Sequence, residues 1–533
     1  MIRLSNIKAD LDIGLEGLKE IAAIKTGLDP ERIIGVKIAK RAVDARNKSH
    51  VHFVYSLDIE VDGDEEYIAS ILAWKDAEIV HDEIFCKPQA KSVSDVRPVV
   101  VGSGPGGMLA GLVLAEAGLK PIILERGKPV NERIADVDLF WKTGHLKPES
   151  NVQFGEGGAG TFSDGKLMTG IKKDRYVRKV MEELVAAGAP EDILYLAKPH
   201  IGTDRLALIV PKIREKIISL GGEYRFENRL KNLVVKDGKL QGIKIEKSGG
   251  EIYEMPCEKL ILAIGHSARD TFEMLNEAGV VMEAKPFAVG VRIEHSQEMI
   301  NKAQYGNYVG NPHLGAADYK LAVHLPNGRS AYTFCMCPGG EVVAAASETG
   351  RVATNGMSRY ARNEKNANSA LLVGITPDDF TDKHPLGGMY FQRKIEEAAF
   401  RAGGENYYAP AQMVGDFLKK QVSQSWGNVE PSYKPGVKAA NLDEIFPPYI
   451  TETLRAALPE MGRKLRGFDV YDAVLTGPET RSSSPVRILR SENLESLSLK
   501  GLYPCGEGAG YAGGIVSAAA DGVKIAEQLV KVL

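Results

Sequence analysis

The chain has 533 residues, 44% of them apolar, enough for more than one buried core and room for about two to four domains. Its 67 basic and 70 acidic side chains leave a net charge of −3, which argues neither for a nucleic-acid binder nor for a protein held on an anionic membrane. Residues 1–10 lack the basic-then-apolar pattern of a signal peptide, no charge-free apolar run is long enough to span a bilayer, and five cysteines are too few for a disulfide framework, so a reduced, cytoplasmic setting is expected.

Residues 1–95 read as a small α+β unit. A strand-like start leads to a helix over 15–25, a break at Asp29-Pro30, and strands over 32–42 and 51–61. The second strand alternates at Phe53, Tyr55, Leu57 and Ile59. Lys37, Lys40, Arg41, Arg46 and Lys48 make this unit locally basic; they read as a solvated face or, less plainly, as a grip on RNA. Residues 87–97 read as a linker.

The most informative stretch is 99–126. An apolar strand ends in Gly102-Ser103-Gly104-Pro105-Gly106-Gly107, an apolar helix follows, and a second strand closes on Glu125 and Arg126. Gly102 permits the tight turn, Gly104 lets backbone approach a pyrophosphate, and Gly107 lets the helix pack on the sheet. The helix start offers unpaired N–H groups and a positive dipole end to phosphates. Glu125 stands where a carboxylate accepts hydrogen bonds from a ribose diol and repels a 2′-phosphate. The weaker reading is a glycine turn that only packs helix on strand.

The chain then stays glycine-rich to residue 170. In 154–169, Gly155, Gly157, Gly158, Gly160 and Gly165 permit a backbone wrapped around a flat ligand. Thr161, Ser163, Asp164, Lys166 and Leu167 in the same string are candidate contacts; an ordinary mobile loop is the alternative. Helices are expected over 175–187 and 204–220, and strands over 222–245 with a turn at Asp237-Gly238. A strand over 259–265 ends in Ala263-Ile264-Gly265, followed by His266, Ser267, Arg269 and Asp270. Loops after strand ends are where an open sheet binds ligands. His266 reads as a hydrogen-bond donor to a ligand or an acid/base near neutral pH, or simply as a helix cap.

From about 285 to 489 the texture changes, with a strand over 287–293 and helices near 390–401 and 450–458, and this reads as a long insertion. Cys335 and Cys337 form C-x-C in a strand-like run, where alternation places both thiols on one face. They lack the partners of a zinc site, and small core residues are the plainer reading than a redox pair. Arg481 and Arg487 flank a serine run and suit a carboxylate or phosphate on a substrate, or equally a structural salt bridge. The last forty residues return to glycine turns, at Gly506-Glu507 and Gly513-Gly514-Ile515, before a final helix.

The nucleotide turn, the mid-chain Ala-Ile-Gly strand end and the late Gly-Glu occur in the order found in the glutathione-reductase superfamily of FAD proteins, which the chain resembles over 98–265 and 500–533. Ile264 replaces the usual Thr and Glu507 the usual Asp. More narrowly, the strings at 155–167, 265–271, 334–340, 479–487 and 506–515 are similar to a bacterial family of FAD-dependent dehydrogenases. The resemblance implies an extended FAD, with adenosine near Glu125 and Arg126, adenine against backbone near Leu230, and the flavin ring near the last glycine loop. It implies no substrate. The dithiol that disulfide reductases of this superfamily carry after the first helix is missing, since no cysteine lies between Gly127 and Met255, and this argues against disulfide reduction. No second G-x-G-x-x-G opens a mid-chain helix, so NAD(P)H is expected to bind transiently if at all.

The expected fold is α/β. A Rossmann-like FAD domain is split over 96–285 and 490–533, an inserted α+β substrate or cap domain covers 286–489, and the N-terminal α+β unit covers 1–95. The expected function is an FAD-dependent oxidoreductase moving a hydride between flavin N5 and a small-molecule substrate, without a metal. His266, Cys337 and Arg481 are the candidates for chemistry. The alternatives are a flavin-dependent RNA-modifying enzyme and a redox-sensing flavoprotein without catalysis.

Overall fold

The computed structural model describes all residues except 64, 73–75, 81–83, 91–95, 172–173 and 381–383. The linker read over 87–97, and the boundary at 95, therefore lie partly outside the described residues.

Three short apolar runs, Val99–Val101, Ile122–Leu124 and Leu260–Leu262, are buried on both faces, which is why they show no alternation. With Glu223–Arg225 and Leu502–Pro504 they form a five-stranded parallel sheet. Its spatial order is Leu502–Pro504, Leu260–Leu262, Val99–Val101, Ile122–Leu124, Glu223–Arg225. The chain builds outward from Val99–Val101 to one side, then returns and builds to the other, the last strand arriving after the long insertion. The fold class is α/β around this sheet.

The helix Pro105–Glu116 is apolar all round because it is enclosed all round. It packs between the sheet and the helix Ile515–Val532, with Arg175–Ala186 and Thr203–Ser219 completing that layer. A three-stranded antiparallel sheet, Asn228–Lys236, Lys239–Lys247 and Ile252–Pro256, covers the opposite face through Leu230, Leu240, Ile243 and Ile245. The expected run of strands over 222–245 is thus divided between two sheets, and the break falls at Glu227, whose φ is +56°. The expected strand over 259–265 is only Leu260–Leu262; after Ala263, whose N–H still bonds Val101 O at 2.8 Å, the chain leaves the sheet as loop.

Residues 287–479 contribute a seven-stranded mixed sheet, in the order Ala322–His324, Ser330–Cys337, Asn366–Ile375, Phe287–Ser296, Val474–Glu479, Ala409–Met413, Val437–Ala439. Helices Gly387–Gly403 and Pro448–Lys464 pack on its core. The N-terminal residues form a separate antiparallel sheet, ordered Ile33–Asp44, His52–Val61, Ile2–Ala9, Ala77–Ile79, with helices Leu15–Thr26 and Glu65–Leu72. Of its basic side chains, Arg46 pairs with Asp44, Lys48 bonds the Gln304 carbonyl, and Arg41 lies over Phe53 and Tyr195. Lys37 and Lys40 remain exposed. No helix among the described residues is long and apolar enough to cross a membrane.

Candidate active site

The carboxyl ends of Val99–Val101, Leu260–Leu262 and Leu502–Pro504 open on one cavity of about 710 Å³. This is the point where the sheet's build order reverses, the usual place for a ligand in an open α/β sheet. Gly102, Gly104, Pro105 and Gly106 wall it from the first strand end, Ala263, Gly265 and His266 from the second, and Gly506 and Glu507 from the third. Gly513, Gly514 and Ile515 add a further wall.

Two helices start here. Pro105–Glu116 follows Gly104 and Ile515–Val532 follows Gly514, and neither cap offers a side chain to the first N–H groups. Both helix starts therefore present free N–H groups and a positive dipole end. A Cβ placed on Gly265, Gly513 or Gly514 would meet no atom within 4 Å, so bare backbone borders open space. Gly107 stands apart from the cavity. A Cβ there would strike the Gly102 carbonyl, so its missing side chain seats the helix on the sheet.

Glu125 lines the cavity but is 4% exposed, and its carboxylate is already engaged. One oxygen accepts from Ser103 N (2.9 Å) and Ser103 Oγ (2.8 Å), the other from Gly127 N (2.9 Å) and Gly155 N (3.0 Å). It pins the nucleotide turn, its own strand end and the glycine-rich loop together. Beside it, Arg126 lies over the Phe154 ring at 4.2 Å and is gripped by Glu149 and Asp270, which also hold Arg229. Arg126, Arg229, Asn228 and Leu230 close this end of the cavity.

The glycine-rich loop divides. Gly158, Gly160, Ser163 and Lys166 face the cavity. Gly157 and Thr161 instead border a small apolar void behind the loop, with Gly157 N bonded to Ser103 O at 2.9 Å. Gly165 packs on Ile201 and Gly202, and Leu167 lies in the core. Asp164 is fully buried and held by Arg362 and Lys166 (2.9 Å), so its carboxylate anchors the cavity's wall and stays out of its interior.

His266 reaches the cavity with Nε2 3.8 Å from a Glu507 oxygen. Burial, reinforced by the charges of Arg481 and Arg269, pulls its imidazole down to about 3, which favours the neutral ring near pH 7. Glu507 is displaced the other way; burial pushes its carboxyl up to about 7 against the pull of Lys285. Arg481 lines the cavity, but its guanidinium is committed to Glu396 (3.2 Å) and Ser347 (2.5 Å). Arg487 turns instead to Glu283, so the two arginines form no common fork. Glu396 also receives two bonds from Arg269 (2.7 and 2.8 Å), tying the helix start after the second strand end to the helix Gly387–Gly403 of the insertion.

The C-x-C pair departs from the expected alternation. Between the paired positions Phe334–Ala370 and Cys337–Asn368, the strand carries two residues against one, a β-bulge, and Cys335 has φ +42°. Cys335 and Met336 line the cavity, whereas Cys337 is fully buried behind them. Sequence reading also missed Arg292 and Glu479, a buried pair bonded at 2.6 and 3.2 Å, of which Glu479 itself lines the cavity. Burial pushes the Glu479 carboxyl up to about 7 although Arg292 opposes it. Their signal was present, since an arginine in the run Phe287–Ser296, otherwise mostly apolar, demands a buried partner.

Residues 286–482 match the family described as FAD-dependent protein, C-terminal domain-like, and residues 1–60 match a domain of unknown function (DUF8436). A flavoprotein/dehydrogenase from Cytophaga hutchinsonii is 11% identical, with 82% of this chain and 79% of that one covered, at a TM-score of 0.36. A geranylgeranyl bacteriochlorophyll reductase-like protein from Thermoplasma acidophilum is 13% identical over the same shares, also at 0.36. An uncharacterized protein of Clostridium beijerinckii is 48% identical over 534 residues, spanning 99% of this chain and 98% of its own. At that identity along nearly the whole of both chains, this protein belongs to the family of the Clostridium beijerinckii protein.

Proposed function

We propose that the chain is an FAD-dependent oxidoreductase that exchanges a hydride with a small-molecule substrate in this cavity. The observation that carries the reading is the meeting of three glycine strand ends and two uncapped helix starts around one cavity, in a chain that carries an FAD-dependent family domain. Bound there, FAD supplies two-electron chemistry at its ring.

The chain's own groups then have distinct tasks. Gly104 and Gly106, at the start of Pro105–Glu116, would receive the pyrophosphate, and the Arg126–Phe154 wall with Leu230 would border the adenosine end. Because Glu125 already accepts four hydrogen bonds, its first task is to hold the loops that shape the site; a ribose would share its oxygens. Ser163, Lys166 and the start of Ile515–Val532 would border the ring, and their positive potential favours an electron-rich ring. Glu507, poised near neutrality, can hold or yield a proton at its carboxyl. Phe334, Cys335 and Met336 close the substrate side.

The test is the purified protein itself. It is expected to be yellow, to release FAD on denaturation, and to bleach when mixed anaerobically with NADH, NADPH or a member of a metabolite library. A colourless protein whose apo form takes up no FAD would overturn the reading.

A further inference from the structure

One wall of the cavity holds chemistry that hydride transfer does not require. The bulge puts Cys335 at the surface of the cavity, while Cys337, with its Sγ 3.3 Å from the Cys335 carbonyl oxygen, lies immediately behind. Residues two apart in a regular strand stand about 6.8 Å apart, at the limit of what a disulfide spans. An extra residue in the strand bends the chain and relaxes that limit. Two cations brace the loop between the thiols. Lys166 Nζ donates to the Met336 carbonyl, and Arg292 Nη1 donates to the Cys335 carbonyl at 2.8 Å. Asp164 and Glu479 partner those cations.

We propose that Cys335 and Cys337 are a redox-active thiol pair whose substrate is a small disulfide admitted to the cavity. A side-chain interaction between the two thiols, with the charges of Lys166 and Arg292, holds the Cys335 thiol well below its usual range, while the same interaction and burial push Cys337 well above it. The exposed member is therefore the nucleophile and the buried one the resolving thiol. The Cys335 thiolate attacks one sulfur of the substrate, forming a mixed disulfide and expelling the first thiolate. That thiolate takes the Cys337 proton. Cys337 then attacks the Cys335 sulfur, closing the protein disulfide and expelling the second thiolate. Two electrons pass from the pair to the substrate, and one disulfide becomes one thiol and one thiolate. Only repeated turnover rests on the flavin reading, because the pair must then be re-reduced by the flavin.

The experiment is a single turnover on the reduced full-length protein in a Cys86→Ser background, which removes the exposed cysteine. The probe is dipyridyl disulfide. The expected result is a rapid release of two thiopyridones per chain, no retained adduct, and a peptide map joining Cys335 to Cys337. Cys337→Ser is expected to release one thiopyridone and keep the other on Cys335. No burst in the parent, an adduct on Cys257 or Cys505 instead, or a Cys337→Ser variant that behaves as the parent would each overturn the proposal. The parent's peptide map decides the matter if the serine variant does not fold. A yellow protein without the burst sinks this proposal alone, and a colourless protein with it sinks only the flavin reading.

Discussion

Replacing Glu507 by glutamine tests the electrostatics of the cavity directly. Burial raises this carboxyl from 4.5 to about 7, and its side chain is one-quarter exposed. Each unit corresponds to about 1.4 kcal/mol, so the raised value represents about 3.5 kcal/mol of preference for the protonated form in the folded chain. Below pH 4.5 the group is protonated folded or unfolded and costs nothing. Between 4.5 and 7 the unfolded chain ionises first, so stability falls; above 7 the full cost is present. Glu507→Gln carries no such charge. In flavin-free protein the variant is expected to melt with the parent below pH 4.5, progressively above it between pH 4.5 and 7, and by a constant margin beyond pH 7. Difference infrared spectra of parent against variant are expected to show a protonated-carboxyl band lost around pH 7. A variant-minus-parent melting difference that does not change with pH, or a band midpoint near 4.5, would refute the reasoning.

Gly107→Val drives a side chain into the Gly102 carbonyl and displaces the first helix, so the protein is expected to purify without flavin absorbance; parent-like colour would contradict the role given to that glycine. His266→Gln is expected to leave the shape of the pH–rate profile unchanged, because the imidazole is neutral well below pH 6.5; loss of a limb near that pH would show that it titrates in catalysis. Glu396→Gln removes a buried carboxylate shared by Arg269 and Arg481, which typically costs about 3–5 kcal/mol. A clear drop in melting temperature is expected, and an unchanged melt would mean that Glu348 alone satisfies both arginines.

The legible parts of this protein are the local ones. Residues 99–126 are contiguous, each glycine has a task set within a few residues, and the parallel sheet and both helix starts follow from that string. The helices 175–187 and 204–220 were legible for the same reason, their apolar period being local. What was not legible depends on distant partners. Glu125 reads as a free acceptor until Ser103, Gly127 and Gly155 converge on it from three loops. Asp164 reads as a ligand contact because its captor, Arg362, lies in the insertion. Cys335 and Cys337 read as neighbours on one face because alternation assumes a regular ladder, and nothing in F-C-M-C announces the bulge that turns one outward. Arg481 reads as an open fork because Glu396 stands 85 residues earlier, on the helix Gly387–Gly403.

The strand Leu502–Pro504 is synthesised after the whole insertion, yet it forms the outer wall beside Leu260–Leu262. A chain still on the ribosome has its nucleotide turn and its second strand end but no third bend and no second helix start. On the proposed reading, a complete coenzyme site would exist only once the closing segment has docked. Until then the strand Leu260–Leu262 presents an unpaired sheet edge, the kind of surface that invites pairing with another chain.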